Sequence, residues 1–449
     1  MKNILSKAIL AAIGTLVVSG AAQAASYIVT SHAQTMTDQL ANKIEAAGGT
    51  MTARLPQIGV VIVESDDPGF AARAAGISGV RSAAADMTLQ YAVPEPQYEI
   101  SEQFANPPNS GDDDRFFDLQ WGHAAIDAAG AWNSGYRGAG VRVAVLDSGV
   151  FCAHADIAPN LIAAESTSFV AGESYCNTLA SQSSHGTHVA GTIAAADNGI
   201  GTIGVAPEAK IIAVKVLSAT TGSGSFAGII QGIVYAADHD ADVINMSLGV
   251  RGGLPKGGND VAELINATKR AVQYAHSQNV TVVASAGNDA RDLDHDANVI
   301  SFPGQVPGVV TVSATAPVGW AKAPTTTSLD HRASYTNFGQ SAIHFSAPGG
   351  DSAYPGNENC TIRGVTVPCW VFDLVMSTTR TGFYGWNAGT SMAAPHVSGV
   401  AALIIGKNGG EMTPAAVERE LRRGADDLGK PGNDDTHGGG RVNAANAVR

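Results

Sequence analysis

The chain has 449 residues, too many for one ordinary domain, and a formal net charge of −13. That balance excludes nucleic acid as a partner, because phosphate recognition needs clustered Lys and Arg. Charged residues make up only 15% and glycines number 52, a composition of a compact, loop-rich globule rather than a disordered chain.

Residues 1–24 read as an export signal. Lys2 and Lys7 give the positive start, Ile9 to Val18 the apolar core, and Ala22-Gln23-Ala24 the small-residue cleavage site. The core is short for a permanent anchor and ends in Ser19-Gly20, and no other stretch approaches spanning length. The expected product is soluble and secreted, with the periplasm left open as its destination. Four cysteines, Cys152, Cys176, Cys360 and Cys369, fit an oxidising compartment and allow three pairings. Cys152 with Cys176 and Cys360 with Cys369 would each close a short loop, but the sequence does not choose. A four-thiolate metal site lacks the close Cys-x-x-Cys spacing.

After the signal, Tyr27-Ile28-Val29 reads as a strand and Met36 to Ala47 as a helix stopped by Gly48-Gly49. Gly59 to Glu64 reads as a buried strand, Pro68 to Ala75 as a helix and Val80-Arg81 as a strand. The order β-α-β-α-β predicts a small, independent α+β unit. Val93 to Arg115 then turns polar, with Pro94, Pro96, Pro107, Pro108 and an acidic Asp112-Asp113-Asp114. That composition predicts an exposed, cleavable linker.

From Trp121 onward short apolar runs alternate with helical stretches. The runs are Val141 to Leu146, Ile211 to Val216, Val243 to Met246, Val280 to Ala284 and Val309 to Ser313. The helical stretches are His185 to Ala196, Gly224 to Asp238 and Asp260 to Gln278. Strands apolar on both faces, joined by helical crossovers, predict a mainly parallel sheet covered on both sides. Sites in such sheets form at the carboxyl ends of the strands.

Those ends carry four candidates. Asp147-Ser148-Gly149 follows the first run, and an acid there is costly to bury without a partner. Ser184-His185-Gly186-Thr187-His188 opens an Ala-rich helix, and Ala286-Gly287-Asn288-Asp289 ends a strand in a side-chain amide. Gly389-Thr390-Ser391-Met392 precedes the apolar run Val397 to Ile405, which would be buried as a helix. Singly, each has an ordinary reading: Asp147 as a turn former, His185 as a cap, Asn288 as a loop residue, and Thr390 or Ser391 as a helix N-cap.

Together, Asp147, His185, Asn288 and Ser391, in that order and each in its own motif, resemble the subtilisin-like serine proteases (subtilases), whose chain order of triad residues this is. The resemblance runs from Trp121 to the C-terminus and includes Ser247-Leu248-Gly249. It implies a three-layer α/β/α fold and a secreted serine endopeptidase acting through an acyl-enzyme. Ser391 would be the nucleophile, His185 the base, Asp147 its orienting acid, and Asn288 the oxyanion donor. His188 and His396 read as structural. Ser247, Leu248 and Gly249 would form the edge that pairs with an extended peptide. Ala284, Ser285, Ala286 and Gly287 would wall the first specificity pocket, with Ser301 to Gly304 as its floor. The uncharged Ser301 implies broad or apolar preference, although Asp289 at the rim would still admit a basic side chain.

By the same resemblance, Asp156, Asn198 and Ile200 match ligands of a structural calcium site. The family's glutamine ligand from the mature N-terminus is missing, Phe117 standing in its place, with Asp118 or Gln120 as candidate substitutes. The first unit resembles the family's propeptide, a ferredoxin-like β-α-β-β-α-β chaperone and intramolecular inhibitor. The expected division is signal 1–24, propeptide and linker 25–110, and catalytic domain 111–449. The alternative, a catalytically silent subtilase fold that binds peptides, predicts an altered triad, and all four positions are intact. An esterase of the α/β-hydrolase type would need Gly-x-Ser-x-Gly and another residue order.

Overall fold

The computed structural model describes residues 24–101, 112–296 and 298–449, so nearly all of the export signal and linker residues 102–111 lie outside the description. The first unit comprises β1 (Ala25–Ser31), α1 (Asp38–Glu45), β2 (Thr50–Leu55), β3 (Val60–Ser65), α2 (Phe70–Ala75) and β4 (Val80–Ala85). Its four strands pair antiparallel in the order β2-β3-β1-β4, the ferredoxin-like arrangement. Val29, Ile44, Val61, Val63 and Phe70 fill a small core of its own. The strand reading of the sequence missed β2. Thr50, Thr52 and Arg54 of that edge strand are exposed and its other residues only half-buried, so no apolar run marks it.

The unit lies on two helices of the larger domain, α6 (Phe226–Asp238) and α7 (Asn259–Ser277). Arg270 of α7 donates to the carbonyls of Ser31 (2.9 Å) and Ile58 (3.2 Å), and Arg81 Nε pairs with Glu263 Oε2 at 3.0 Å. Asp86 Oδ1 accepts the Ala227 amide at 3.1 Å, in the first turn of α6, where N–H groups lack partners within the helix.

In the stretch 93–115, read above as an exposed linker, the described residues are tied to the folded domain, as is the chain that leads into it. β5 (Thr88–Gln90) pairs with β10 (Ser223–Ser225), and β6 (Tyr98–Ser101) pairs with the strand Phe383–Asn387. Asp112 and Asp114 are buried as well. Proline content and acidity failed as exposure signals here because these segments add to sheet edges or collect around a buried acidic site.

The larger domain is built on a mainly parallel sheet. In spatial order its strands are His331–Arg332, then β13 (Val310–Ala316), β12 (Thr281–Ser285), β11 (Val243–Met246), β7 (Arg142–Asp147), β9 (Lys210–Lys215) and β8 (Thr167–Ser168). β14 (Phe345–Pro348) also pairs with β13, in parallel, while His331–Arg332 is antiparallel to it. Alternation along each strand divides the core. Val143 and Val145 of β7 face one layer with α5 (His185–Ala194) and α8 (Thr390–Lys407). Ala144 and Leu146 face the other, with α6 and α7. This is the expected three-layer α/β/α sandwich. The strand-forming residues alternate sides with period two, so both faces stay apolar.

Two disulfides join Cys152 to Cys176 and Cys360 to Cys369, the two short-loop pairings. Among the described residues no helix is long and apolar enough to cross a membrane.

Three histidines are fully packed under the α5/α8 layer. Burial holds His188 down to about 3 and His396 down to about 4, and burial with the neighbouring His396 holds His123 down to about 3. The unfolded chain, with imidazoles near 6.5, takes up protons that these rings refuse until much lower pH. Stability is therefore lost as pH falls below that value. For His396 alone the loss reaches about 3 kcal/mol near pH 4. Thermal unfolding between pH 7 and pH 4 should show a falling midpoint, with a shallower slope in His396→Asn.

Candidate active site

The sheet delivers its polar groups at strand ends. Asp147 is the last residue of β7 and only 1% exposed. Its carboxylate meets His185, the first residue of α5, with Nδ1 2.8 Å from Oδ1 and 3.0 Å from Oδ2. The Ser148 amide donates to the same Oδ1 at 2.7 Å. Burial pulls the His185 imidazole toward its neutral form, but the charge and hydrogen bond of Asp147, with a further contribution from Glu95, outweigh it and raise its pKa. Nε2, the other ring nitrogen, makes no hydrogen bond among the described residues.

Ser391 lies in the first turn of α8 and is 2% exposed. It is not an N-cap: Gly389 holds that position, and no side chain caps the helix. A Cβ at Gly389 would lie 3.3 Å from Pro94 Cγ and 3.4 Å from Asn288 Nδ2, so glycine keeps the approach to the cleft open. Thr390 orients Asn288, because its N–H (2.9 Å) and Oγ1 (2.8 Å) both donate to Asn288 Oδ1. The amide oxygen is thereby held, and the Nδ2 donor is left for the cleft. Sequence reasoning read Thr390 only as a candidate N-cap and did not connect it to Asn288, although its place between Gly389 and Ser391 was a signal.

The peptide-edge residues divide. Gly249 is the one that meets an extended chain, its carbonyl accepting the Ala92 amide at 3.0 Å. Ser247 is buried and its Oγ donates to the Ser391 carbonyl at 2.7 Å, while Asn245 Nδ2 donates to Ser247 Oγ at 2.9 Å. This ties α8 to β11. Leu248 is buried in the α6/α7 core. The side chains of Ser247 and Leu248 thus brace the site, and only the backbone of this segment is available to a peptide.

A cleft of about 280 Å³ is lined by Gly249, Arg251, Ser285, Gly287, Asn288 and Ser391, with Ala92, Val93 and Pro94 on its other wall. Ser285 Oγ donates to the Leu248 carbonyl at 3.1 Å, while Ala284 and Ala286 are fully buried. Ser301 Oγ (2.7 Å) and Asn337 Nδ2 (2.9 Å) donate to the Ala286 carbonyl and hold that wall. Asn337 went unread because it stands in a polar loop remote in sequence. Asp289 Oδ1 accepts the Gly252 amide at 3.0 Å, so its carboxylate staples the rim.

The chain's own residues 92–94 line this cleft, and the segment is held on either side of it. The Tyr91 amide donates to the Gly222 carbonyl (3.2 Å), Asn387 Nδ2 to the Pro94 carbonyl (2.7 Å), and the Gln97 amide to the Trp386 carbonyl (3.1 Å). Glu95 Oε2 accepts from the amide and Oγ of Ser184, both at 3.2 Å, beside the catalytic-site histidine.

A second polar centre lies after α5. Asp156 is buried; its Oδ1 accepts from Asn198 Nδ2 (3.2 Å) and its Oδ2 from the Thr202 amide (3.0 Å). Asn198 Oδ1 accepts the Ile200 amide at 3.1 Å. The expected substitutes at the missing glutamine are otherwise engaged: Gln120 binds both the amide and carbonyl of Ile203, and Asp118 pairs with Arg363 at 2.8 Å. Asp114 reaches the loop instead, its Oδ1 3.3 Å from the Asn198 amide. Asp112, Asp113, Asp114 and Asp197 bring carboxylate oxygens within 4.8 Å of one another. Burial, with the adjacent Asp112 carboxyl, pushes Asp114 up to about 9. Clustered carboxylates at such mutual cost are an oxygen-donor set that a hard cation fits, so this cluster can hold a metal ion.

The Asp147–His185 contact, with a serine at the head of a buried helix and a side-chain amide near it, is the set of groups a serine peptidase uses. Residues 138–440 match the Subtilase family of peptidases, and the chain belongs to that family of serine endopeptidases. It is 36% identical over 331 residues to Subtilisin NAT of Bacillus subtilis subsp. natto, covering 74% of this chain and 71% of that one. Subtilisin Savinase of Lederbergia lenta is 34% identical over 334 residues, 74% of this chain and 99% of that one. The fold matches that of the epidermin leader peptide processing serine protease of Staphylococcus aureus with a TM-score of 0.74 and 23% identity, over 95% and 98% of the two chains.

Proposed function

We propose that this peptidase is made as an exported, self-inhibited precursor that removes its own N-terminal unit. The observation that carries the reading is the path of residues 88–101, which run from the small domain through the cleft as an extended substrate would. In this reading residues 1–24 are the signal, 25–110 the propeptide and linker, and 111–449 the catalytic domain. Extended pairing with Gly222 and Gly249 gives the propeptide a peptide's affinity without dependence on sequence. Pro94 and Pro96 flank Glu95 in the cleft, and each lacks the amide that a ladder would use. That slows cleavage there and favours inhibition.

On release, Ser391 Oγ attacks the carbonyl carbon of a bound peptide while His185 Nε2 takes its proton. Asp147 holds Nδ1–H and stabilises the imidazolium that forms. Charge develops on the carbonyl oxygen, where Asn288 Nδ2 and the Ser391 amide donate to it. His185 then protonates the leaving amine, and water releases the acyl group by the same steps in reverse. The first pocket, walled by Ala284 to Gly287 over the uncharged Ser301, carries no charged side chain in its wall or floor, and Asp289 at the rim is held by the Gly252 amide. Broad or apolar preference follows.

Calcium is the cation proposed for the acidic centre, with Asp112, Asp114, Asp156 and Asn198 and the carbonyl of Ile200 as its holders. It would supply rigidity to the loop after α5 by neutralising carboxylates that otherwise repel.

Three measurements test these points. Ser391→Ala should accumulate as a folded chain that keeps residues 25 to about 110, and its loss of that segment in pure solution would refute the nucleophile. Asn288→Ala should lower kcat by about 10²–10³ with little change in KM. Chelation should lower the thermal midpoint of the wild type, and added calcium should restore it. An unchanged midpoint removes the metal site.

A further inference from the structure

A buried amide that the mechanism does not use lies behind the catalytic pair. Asn177 is 3% exposed, and its Nδ2 donates to two carbonyls, Ser148 O at 3.1 Å and Ser183 O at 2.9 Å. Ser148 directly follows Asp147, and Ser183 stands two residues before His185. These two serines also frame the pair directly. Ser148 Oγ donates to Ser183 Oγ at 3.3 Å, the His185 amide donates to Ser183 Oγ at 3.2 Å, and the Gly186 amide donates to Ser148 Oγ at 3.2 Å.

The orientation of the amide is fixed by chemistry. Lys215 at the end of β9 is wholly buried; its Nζ donates to Asn177 Oδ1 at 3.0 Å and pairs with Glu173 at 2.8 Å. A lysine only donates, so the oxygen of Asn177 must face it and the NH₂ must face the carbonyls. The backbone is held too: the Val150 amide donates to Tyr175 O (2.9 Å) and the Asn177 amide to Val150 O (2.8 Å). Cys176, next in the chain, is bonded to Cys152, five residues after Asp147.

We propose that Asn177 is a positioning residue for peptide hydrolysis, its amide clasping the backbone after Asp147 to the backbone before His185 so that the Nδ1–carboxylate contact keeps its geometry. The inference rests on Asp147 and His185 being the acid and base assigned above. Lys215 and Glu173 aim the clasp, and the Cys152–Cys176 bond keeps its loop in place.

Two variants test it, with kcat measured per titrated active site. Asn177→Ala removes the clasp and should lower kcat by about tenfold or more, because small displacements of reacting groups are costly, while KM stays within about twofold. Titrating active sites counts only folded enzyme in either variant. Asn177→Asp is isosteric and keeps an oxygen for Lys215, but it sets an acceptor against two carbonyls. It should lose at least as much kcat as alanine, whereas a residue that only fills space would leave it near wild type. In the Ser391→Ala precursor, adding Asn177→Asp should also broaden or shift upfield the proton resonance of His185 Nδ1–H. Wild-type kcat in Asn177→Asp, or a raised KM with kcat unchanged, overturns the proposal. His185→Ala separates the two readings: if it retains activity the triad assignment fails, and if it is inactive while both Asn177 variants are normal, only the clasp fails.

Discussion

The contact between Asp147 and His185 is the constraint to which the rest of the domain answers. A carboxylate 1% exposed at the end of an apolar strand is expensive unless a donor meets it, and here three donor contacts do: both imidazole contacts and the Ser148 amide. The parallel sheet sets the acid at the end of β7 and leaves the return helix α5 to bring the imidazole beside it. The second helix of the same layer, α8, carries the serine. Ser247 and Asn245 fix that helix to β11, with Ser398 Oγ donating to Asn245 Oδ1 at 2.8 Å. The polar ties between α8 and the sheet are hydroxyl and amide bonds, strong enough to fix register and neutral enough to be buried.

The legible parts of the sequence were those with period or with motif. Apolar runs of five or six residues ending in Asp147 or near Asn288 could only be strands buried on both faces, and the strand-end rule then pointed at the polar residues following them. What was not legible depends on partners distant in the chain. β2 is an edge strand whose pattern is polar and shallow, so its pairing with β3 is the only evidence of it. The Pro-rich stretch around Pro94 has the composition of a free linker, and only its bonds to distant groups, Ala92 to Gly249 and Gln97 to Trp386, hold it in place. Asp114 likewise looks like part of a solvated acidic run until folding carries it 3.3 Å from Asn198, 84 positions away.

Side chains named from a motif need not act through their side chains. In Ser247-Leu248-Gly249 it is the backbone of Gly249 that meets an extended segment, while the serine hydroxyl and the leucine point into the scaffold. The requirement at Ser247 is a small donor that reaches the Ser391 carbonyl, and at Leu248 a packing volume in the α6/α7 core. At Gly249 it is room for an incoming chain. A motif of three residues thus records three separate physical demands, of which one concerns substrate.

In the precursor we propose, substrate affinity and self-inhibition would share one set of bonds. The backbone groups of Gly222 and Gly249 that hold Tyr91 and Ala92 are the groups a peptide substrate would use, so any chain that matches their spacing competes with the prosegment. The chain's own segment is tethered: β1–β4 sit on α6 and α7 through Arg270, the Arg81–Glu263 pair and Asp86, which holds residues 88–101 at high effective concentration beside the cleft. In the proposed precursor, activation would then turn on losing the covalent link that makes the chain's own segment the best-placed occupant.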